Sequence, residues 1–352
     1  MGGPSSRDTG SPAHRGRRWI DKYELLERLG RGWQGEVFRG FDPDRKQRVA
    51  IKLLRQENVR AHTTMAQFQD GIEAIAALQH PNIARVFDFG LVDDVYFIVM
   101  ELLEGPSVRD LLGERRGGLP QNEAVSILKQ IAEALSYAHA RGVIHGDVQP
   151  AHVIFAADDR LVLTDFSLAQ ALGDPTLTGT PAYLAPEQAN GQPPTARSDL
   201  YALGVVLYEM VTGRLPFTGE DTQTILERHR TEPPAAPSEI NASISPHIER
   251  VILHALEKDP AARFRSVREM IAALETGEKS DDYDTFALRS AALRDADAAR
   301  AQELDAARRQ FRAARQAKQE GERADTEKQP SGLLNSLLNR LRRRQDDDTT
   351  DS

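Results

Sequence analysis

"HGDVQPAHVIF", residues 145–155, is the stretch of this sequence that decides the fold. It contains one carboxylate, Asp147, followed at close spacing by the polar side chains of Gln149 and His152. Taken alone, so short a stretch is compatible with many structures. Its meaning depends on the composition of the chain and on the motifs that come before and after it.

The composition allows a large folded core and excludes several kinds of chemistry. The 352 residues carry a formal net charge of -8, and 40% of them are hydrophobic, which is enough for one large domain or two ordinary ones. The chain has no cysteine, which excludes disulfides and thiolate zinc sites and agrees with a reducing compartment, so we expect a cytoplasmic protein. No apolar run approaches the ~20 residues that cross a bilayer, so we expect no transmembrane segment.

Changes in composition indicate four segments. Residues 1–19 are polar and rich in glycine and proline, which predicts a disordered N-terminal arm. Residues 20–275 mix strand-like and helix-like stretches and predict a folded domain. Residues 276–330 are rich in Ala, Arg, Glu and Gln, which predicts a charged linker that is helical or disordered. Residues 331–352 predict a short basic amphipathic helix with an acidic end.

The folded domain divides into a β-rich part and an α-rich part. From residue 20 to 103 strand-like runs dominate, such as "QRVAIKLL" and "VYFIVMELL", with one helix-like insert, "MAQFQDGIEAIAALQ". From residue 104 to 275 helical patterns dominate, such as "NEAVSILKQIAEALSYAHARG". The expected fold class is therefore α+β with two lobes, and a cleft between lobes is a common ligand site.

A glycine-rich stretch, "LGRGWQGEVF", lies near the start of the β-rich part. Its three glycines, Gly30, Gly32 and Gly35, are weak evidence alone, because the same spacing occurs in tight turns and in dinucleotide-binding loops. The strand-like "EVFRGF" that follows favours a β-hairpin over a helix. Glycines at this spacing allow backbone N–H groups to approach phosphate oxygens without a Cβ in the way.

Six further motifs follow in a fixed order and identify a family. They are "VAIK", "HGDVQP", "TDFS", "APE", "SDLYALGVVLYEM" and "DPAARF". In this order they resemble the eukaryotic-like serine/threonine protein kinases, and "HPNI", "YLAPEQ" and "DPAARF" look most like the bacterial branch. The resemblance covers residues 20 to about 275. It implies a two-lobed kinase fold with a β-rich N-lobe (20–103) and an α-rich C-lobe (104–275).

The resemblance also implies a role for each matching residue. Asp147 would accept the proton of the substrate hydroxyl, Lys52 would hold the α- and β-phosphates of ATP, and Asp165 would bind magnesium. Three further residues would have structural roles: Glu187 and Arg263 as a buried ion pair, and Asp199 as a brace for the catalytic loop. The remaining ATP-binding positions would be Gly30, Gly32 and Gly35 over the phosphates, Val37, Ala50 and Ile154 around adenine, Met100 behind it, and the hinge Glu101 to Leu103.

Three departures from the family pattern concern positioning. The helix before "HPNI" should carry a Glu that pairs with Lys52, but that place falls on Gly71; a register shift would bring Asp70 or Glu73 closer instead. Without such a Glu we expect Asp165 to pair with Lys52. Ser167 replaces the Gly of the family's "DFG", which is a mild change. Gly146 replaces the Arg that grips a phosphorylated activation loop, so phosphorylation at Thr176, Thr178 or Thr180 is less expected to act as a switch.

Two departures concern the chemistry itself. Gln149 replaces a Lys that reaches the γ-phosphate, and Gln brings no charge to the developing anion. His152 replaces the Asn that binds a second magnesium, and magnesium prefers oxygen ligands. We therefore expect a weakened metal site, where the imidazole tolerates manganese or zinc better than magnesium, or serves only as a hydrogen-bonding side chain that fills the space.

The C-terminal pattern suggests an interaction helix. Leu333 to Arg344 places five leucines on one helical face and ends in a basic cluster. It could dock on a protein partner, on its own C-lobe or on an anionic membrane surface. The acidic end that follows weakens the membrane case, and the acidic chain argues against nucleic acid. We expect a protein partner or substrate, contacted through the C-lobe or this helix, and an input that arrives from inside the cell or through a partner.

Two functions follow from this pattern. The favoured hypothesis is a pseudokinase, a signalling scaffold that binds ATP but transfers phosphate to protein weakly or not at all. The alternative is an active ATP-dependent protein Ser/Thr kinase with an atypical catalytic loop. Retention of Lys52, Asp147 and Asp165 supports the alternative. The replacements at Gly71, Gln149, His152 and Ser167 favour the pseudokinase.

Overall fold

The computed structural model of the protein describes residues 18–32, 35–54, 65–115, 117–166 and 179–276. The predictions for most of the N-terminal arm, for the linker and for the amphipathic helix lie outside these residues. So do those for Ser167, Thr176 and Thr178. No helix in the described ranges has both the length and the apolar character needed to cross a membrane.

The N-terminal lobe is built on a six-stranded antiparallel sheet with the strand order β1-β2-β3-β4-β6-β5. Both faces of its inner strands are covered, since in β6 Tyr96 and Ile98 point to one side while Phe97 and Val99 point to the other, and all four are buried. The six strands are β1 (Arg18–Ile20), β2 (Tyr23–Arg31), β3 (Gly35–Asp42), β4 (Gln47–Leu54), β5 (Val86–Val92) and β6 (Val95–Met100).

One helix, α1 (Met65–Ala76), packs on the sheet. Its Ile72 is fully buried in a cluster with Leu54 of β4 and with Tyr96 and Ile98 of β6. A second cluster on the opposite face of the sheet joins β1, β2, β4 and β6 through residues such as Val49 and Ile51. The predicted helix-like insert among strands is thus the element that covers one face of the sheet.

The C-terminal lobe is helical and surrounds α5 (Ala196–Thr212), which is buried along almost its whole length. Thr195 caps its N-terminus and Gly213, in a left-handed conformation with φ 70°, ends it. A two-stranded sheet, β7 (Val153–Phe155) and β8 (Leu161–Leu163), faces the cleft. The other helices are α2 (Val108–Glu114), α3 (Gln121–His139), α4 (Pro186–Ala189), α6 (Thr222–Thr231), α7 (Pro237–Ile240), α8 (Pro246–Ala255) and α9 (Val267–Glu275), with 3₁₀ turns at Pro150–His152, Pro181–Tyr183 and Pro260–Ala262.

This architecture confirms the α+β, two-lobed fold, with one difference at its start. Residues 18 and 19, which we assigned to the disordered arm, pair with Leu25 and Glu24 as part of β1. A tight turn makes this pairing possible: Asp21 adopts φ 50°, a conformation that Asp tolerates better than most residues. The arm is therefore at least two residues shorter than predicted.

Candidate active site

Lys52 and Asp165 form an ion pair between the lobes. Lys52 lies in the middle of β4, opposite Val37 of β3 and Ile98 of β6. Its Nζ atom lies 2.5 Å from Oδ1 of Asp165, which follows β8 closely in the chain. Removal from water alone would raise the pKa of Asp165, but the charge of Lys52, with help from His152, holds that pKa well below its usual range. Asp165 is therefore ionised, as a metal-binding carboxylate must be.

The backbone at Asp165 is in a conformation that few residues adopt. Its φ is 57°, and a non-glycine residue held there costs about 1–3 kcal/mol unless its surroundings fix it. The next residue, Phe166, is buried with its ring centroid 4.6 Å from that of His145. This packing holds the turn, and the turn directs the Asp165 carboxylate towards Lys52.

Asp199 of α5 supports the loop that carries Asp147. The backbone N–H groups of His145 and Gly146 donate to its two carboxylate oxygens at 2.9 and 2.8 Å. Nε2 of His139 lies 2.7 Å from the same carboxylate. Gly146 adopts φ 76°, where a side chain would add strain. The predicted brace is thus present, and Gly146 suits the backbone shape that the brace imposes.

Asp147 is hydrogen-bonded to Thr180, in the described segment that begins at residue 179. Its Oδ1 accepts a hydrogen bond from the backbone N–H of Thr180 at 2.9 Å and another from Nε2 of Gln149 at 3.0 Å. The same Gln149 nitrogen lies 2.6 Å from Oγ1 of Thr180. The side chain of Asp147 is 2% exposed, and within the described residues its Oδ2 accepts no hydrogen bond. That oxygen is the one left to accept a proton.

His152 lies between the two carboxylates. Its Nδ1 lies 2.9 Å from the backbone carbonyl oxygen of Asp147, which can only accept, so Nδ1 carries the hydrogen. The other ring nitrogen, Nε2, lies 3.9 Å from Oδ2 of Asp165 and 3.4 Å from Nε2 of Gln149. The imidazole therefore turns Nε2 towards Asp165, while its Nδ1 also lies 3.6 Å from Oδ2 of Asp147.

The predicted adenine-binding residues line one face of the sheet. In antiparallel pairs Val37 lies opposite Lys52, and Ala50 lies opposite Met100. Residues directly opposite, and residues two apart on a strand, point to the same side of a sheet. Val37, Ala50, Lys52 and Met100 therefore share the face that turns away from the buried Ile51.

Two further predicted parts of the pocket come from the hinge and the C-terminal lobe. The hinge begins where the N–H of Glu101 donates to the carbonyl of Arg85 at 2.8 Å, and Leu103 follows as a partly exposed residue. Ile154 of β7 bridges to Ser107 just after the hinge, so it is placed on the C-terminal side of the cleft.

The glycine-rich stretch forms the predicted hairpin between β2 and β3. The N–H of Gly32 donates to the carbonyl of Gly35 at 2.9 Å. A Cβ at Gly35 would lie 1.9 Å from the carbonyl oxygen of Leu53, so only glycine fits there. At Gly30 and Gly32 a Cβ would meet no described atom within 4 Å. The predicted place for phosphates, beside Gly30 and Gly32, is therefore clear of described atoms.

The comparison with family models agrees with this geometry. The model described as the protein kinase domain matches residues 23–273, which is more than half of the chain. The chain belongs to the protein kinase family. Its relatives place it among the bacterial serine/threonine kinases: it is 35% identical to PrkC of Bacillus subtilis over 273 residues and 37% identical to PknB of Mycobacterium leprae over 265 residues.

These alignments cover only part of each relative. They include 76% and 72% of this kinase but 42% of PrkC and of PknB, so the chain spans less than half the length of either protein. Among solved structures, the kinase domain of PknI from Mycobacterium tuberculosis matches with a TM-score of 0.61 at 30% identity, covering 73% of this chain and 95% of that one. The match thus takes in nearly the whole of the PknI kinase domain.

The kinase domain keeps the buried ion pair that the family pattern implies. Both terminal nitrogens of Arg263 donate to Glu187, at 2.9 and 2.8 Å, and Ser198 Oγ donates to the same carboxylate at 2.7 Å. Burial would raise the pKa of Glu187, but the hydrogen bond and charge of Arg263 lower it below the usual value. This pair fixes α4 against the loop that follows α8.

The helix α1 brings an apolar side chain rather than a carboxylate towards Lys52. Ile72 and Ile75 line the same small pocket as Lys52 and Asp165. The two acidic residues of the helix, Asp70 and Glu73, are exposed to solvent. A register shift therefore does not supply the missing Glu of the kinase pattern, and the expected pairing of Lys52 with Asp165 is present.

Gln149 and Thr180 form a contact that sequence reasoning missed. We treated Thr180 only as a residue of the activation loop, whereas its N–H and Oγ1 contact Asp147 and Gln149. The signal in the sequence for this contact was the position of Thr180 directly before Pro181, which begins the 3₁₀ turn Pro181–Tyr183. Sequence reasoning also missed the contacts of Tyr183. Its hydroxyl donates a hydrogen bond to Glu209 at 2.5 Å and accepts one from Arg109 at 2.9 Å, so it joins α2, α5 and this turn.

Proposed function

We propose that this kinase domain binds ATP with a divalent cation and transfers phosphate to protein weakly or not at all, acting as a signalling scaffold. The observation that supports this most is the position of Gln149. It lies between Asp147 and Thr180 with hydrogen bonds to both, so the loop keeps its shape. No positive charge is present at this position, although phosphoryl transfer depends on charge neutralisation.

The expected loss of rate is large. Removing one preorganised donor from a developing anion costs ~10²–10³ in rate, or about 3–4 kcal/mol of barrier. The family's metal-binding Asn is replaced by His152, and the place of its Lys-pairing Glu falls on Gly71. These losses need not add, but each reduces the rate without removing the groups that hold nucleotide.

Residues for nucleotide and one cation fit the proposal. Asp165 is an ionised oxygen ligand of the kind that Mg²⁺ prefers. Lys52 lies beside it, on the same sheet face as Val37 and Ala50. When bound, the cation would neutralise phosphate charge. Asp165 would hold it and Lys52 would hold the phosphates, while the buried Phe166 keeps the Asp165 turn in place.

Nucleotide binding is tested by a thermal-shift titration of the full chain with ATP and Mg²⁺ or Mn²⁺. We expect a concentration-dependent rise in Tm that is reduced in Lys52→Ala. A matched control is Lys46→Ala, which changes an exposed lysine in the turn before β4. Absence of any stabilisation with either metal would contradict the proposed nucleotide binding.

An active kinase is the second candidate, and the position of Asp147 favours it. The carboxylate is braced through Asp199 and keeps Oδ2 free of hydrogen bonds from described residues. An acceptor for the substrate proton is thus in place. Transfer of γ-phosphate that disappears in Asp147→Ala would establish this candidate.

We also propose that the protein acts in the cytoplasm through a protein partner or substrate, bound by the C-lobe or by Leu333–Arg344. The apolar face and basic end of that segment support a docking role. Leu337→Glu in the full chain should abolish partner capture. Co-sedimentation with vesicles containing anionic lipid, lost in the same variant, would instead favour a membrane surface.

A further inference from the structure

Arg109 carries a positive charge that forms no ion pair with a described residue. It lies on α2 and is exposed to solvent. One of its five N–H groups is engaged, because Nη2 donates to the hydroxyl of Tyr183 at 2.9 Å. Its guanidinium also lies 5.9 Å from the centre of the Tyr183 ring, within the range of a cation–π contact. The other N–H groups donate to no described residue and so remain open to a ligand.

Tyr183 holds this guanidinium in a fixed direction. Its side chain is buried, and its hydroxyl donates to Glu209 of α5 at 2.5 Å. Burial and the neighbouring Glu209 raise the pKa of Tyr183, so the hydroxyl keeps its proton and points it at Glu209. The hydroxyl oxygen is then the acceptor for Arg109. The hydrogen bonds therefore run from Arg109 to Tyr183 to Glu209, and the exposed end of this chain is the positive one.

Two acidic residues adjoin Arg109 without pairing directly with it. Glu209 is partly buried, and this burial raises its pKa although Tyr183 and Arg109 favour the ionised form. Asp110, next in the chain, has its Oδ2 engaged by the backbone N–H and the Oγ of Ser107, at 2.8 and 2.6 Å. A partner therefore meets the charge of Arg109 before it meets either carboxylate.

The position of Arg109 links it to the candidate phosphate-transfer site. Thr180, whose N–H donates to Asp147, begins a 3₁₀ turn that ends at Tyr183 and is closed by a hydrogen bond of 2.9 Å between their backbones. Three residues of such a turn advance about 6 Å. An extended segment advances about 3.3 Å per residue. With the lengths of the two side chains added, a segment that places a Ser or Thr at Asp147 reaches Arg109 within about five residues.

A carboxylate is the group that fits this set of donors. Arginine forms short, paired hydrogen bonds with carboxylates, and hydrogen bonds to charged partners contribute more than neutral ones. We infer that Arg109, held by Tyr183, is a specificity residue of the C-lobe that selects protein partners or substrates with an Asp or Glu within about five residues of their Ser or Thr. This inference rests on the proposed binding of a protein partner or substrate.

Fluorescence anisotropy with the full chain and synthetic peptides tests this specificity. Each peptide contains one central Thr in a background of Ala and Gly. The acidic peptides carry Asp on one side of the Thr or on the other, and each has matched versions with Asn and with Lys at the same positions. We expect one of the acidic peptides to bind the wild type about tenfold more tightly than its Asn version.

Variants of Arg109 show whether its charge is the cause. Arg109→Gln should remove the preference for Asp, because the amide brings no charge. Arg109→Glu should reverse it, so that the Lys peptide binds more tightly than the Asp peptide, which a purely structural role would not produce. Arg141→Gln is the matched control, since Arg141 is an exposed arginine whose guanidinium lies 3.6 Å from the ring centre of Tyr137. It should keep the wild-type preference.

The possible failures separate this inference from the proposed function. Equal binding of the Asp and Asn peptides, or no peptide binding at all, would overturn the inference, while a rise in Tm with ATP would leave nucleotide binding intact. Tighter binding of the Lys peptide, lost in Glu209→Gln, would show instead that Glu209 recognises a basic side chain.

A measurement on the wild type decides the question if the Arg109 variants do not fold. Phenylglyoxal modifies exposed arginines, and mass spectrometry locates the modified residues. The Asp peptide should protect Arg109 from this reagent, whereas Arg141 should react equally with and without it. Absence of protection at a saturating concentration of the Asp peptide would overturn the inference.

Discussion

Nε2 of Gln149 donates a hydrogen bond of 3.0 Å to Oδ1 of Asp147. Through this bond a neutral side chain holds the candidate base against Thr180, whose N–H donates to the same oxygen. The amide of Gln149 therefore keeps the shape of the catalytic loop. The positive charge that a lysine of the kinase pattern would bring to this position is missing.

Gln149→Lys should raise phosphate transfer. A lysine at this position can make similar hydrogen bonds and adds a positive charge for the γ-phosphate, which is worth about 10²–10³ in rate. Incorporation of labelled γ-phosphate into a generic protein substrate is the measurement. Gln149→Met, with similar length and no charge, is the control; because it lacks the amide that bonds to Asp147 and Thr180, its transfer should not exceed the wild-type level. A folded Gln149→Lys variant without any gain would show that another replacement limits the rate.

Gly71→Glu should raise the stability of the domain and should also affect phosphate transfer. Glycine inside α1 costs ~1 kcal/mol relative to a good helix former, so Tm should rise. The new carboxylate is placed where the kinase pattern pairs a Glu with Lys52. We expect further gain in transfer only when Gly71→Glu is combined with Gln149→Lys. Gly71→Ala separates helix stabilisation from charge, since it should raise Tm without affecting transfer.

Arg263→Ala should destabilise the C-terminal lobe strongly. It leaves Glu187 buried without its bidentate partner, and such a loss costs about 3–5 kcal/mol. Urea unfolding at pH 7 measures the change. Because the folded-state pKa of Glu187 is lowered, the contribution of the pair is present above the unfolded pKa and is lost as pH falls through the folded one. Adding Glu187→Leu should recover part of the stability; a double variant less stable than Arg263→Ala would contradict the account.

His229 should make the domain sensitive to mild acid. It accepts a hydrogen bond from Tyr201 and donates to the carbonyl of Ala182, and burial, aided by the charge of Lys258, lowers its pKa to about 4. The unfolded value is about 6.5, so the unfolded state takes up the proton first. Stability should fall by roughly 3 kcal/mol as pH drops from about 6.5 to about 4.

The His229 prediction is checked by urea unfolding across that pH window. His229→Gln should be less stable at pH 7 but show a smaller loss on acidification. The exposed His254, changed to Asn, should behave as the wild type does. An unchanged pH dependence in His229→Gln would show that other groups take up the proton.

Motif order allowed the fold to be predicted because each kinase motif belongs to a fixed element. "VAIK" lies on β4, and "SDLYALGVVLYEM" is the buried helix α5. The pairing of Lys52 with Asp165 was also predictable, since a buried ammonium needs a carboxylate and Gly71 offers none.

Other features depend on distances that no spacing in the sequence encodes. The contact between Gln149 and Thr180 joins residues 31 positions apart. The position of the Nδ1 hydrogen of His152 depends on the backbone carbonyl of Asp147. Because every residue has such a carbonyl, the sequence carries no signal for this contact. The strand pairing of Arg18 depends on a turn at Asp21 rather than on the composition of the arm.

Transfer of γ-phosphate under single-turnover conditions, with saturating ATP and with Mg²⁺ or Mn²⁺, tests the central claim most directly. The wild type should bind ATP yet transfer phosphate to itself or to a generic protein substrate at a rate close to that of Asp147→Ala. Fast transfer that is lost in Asp147→Ala would contradict the account and establish an active kinase.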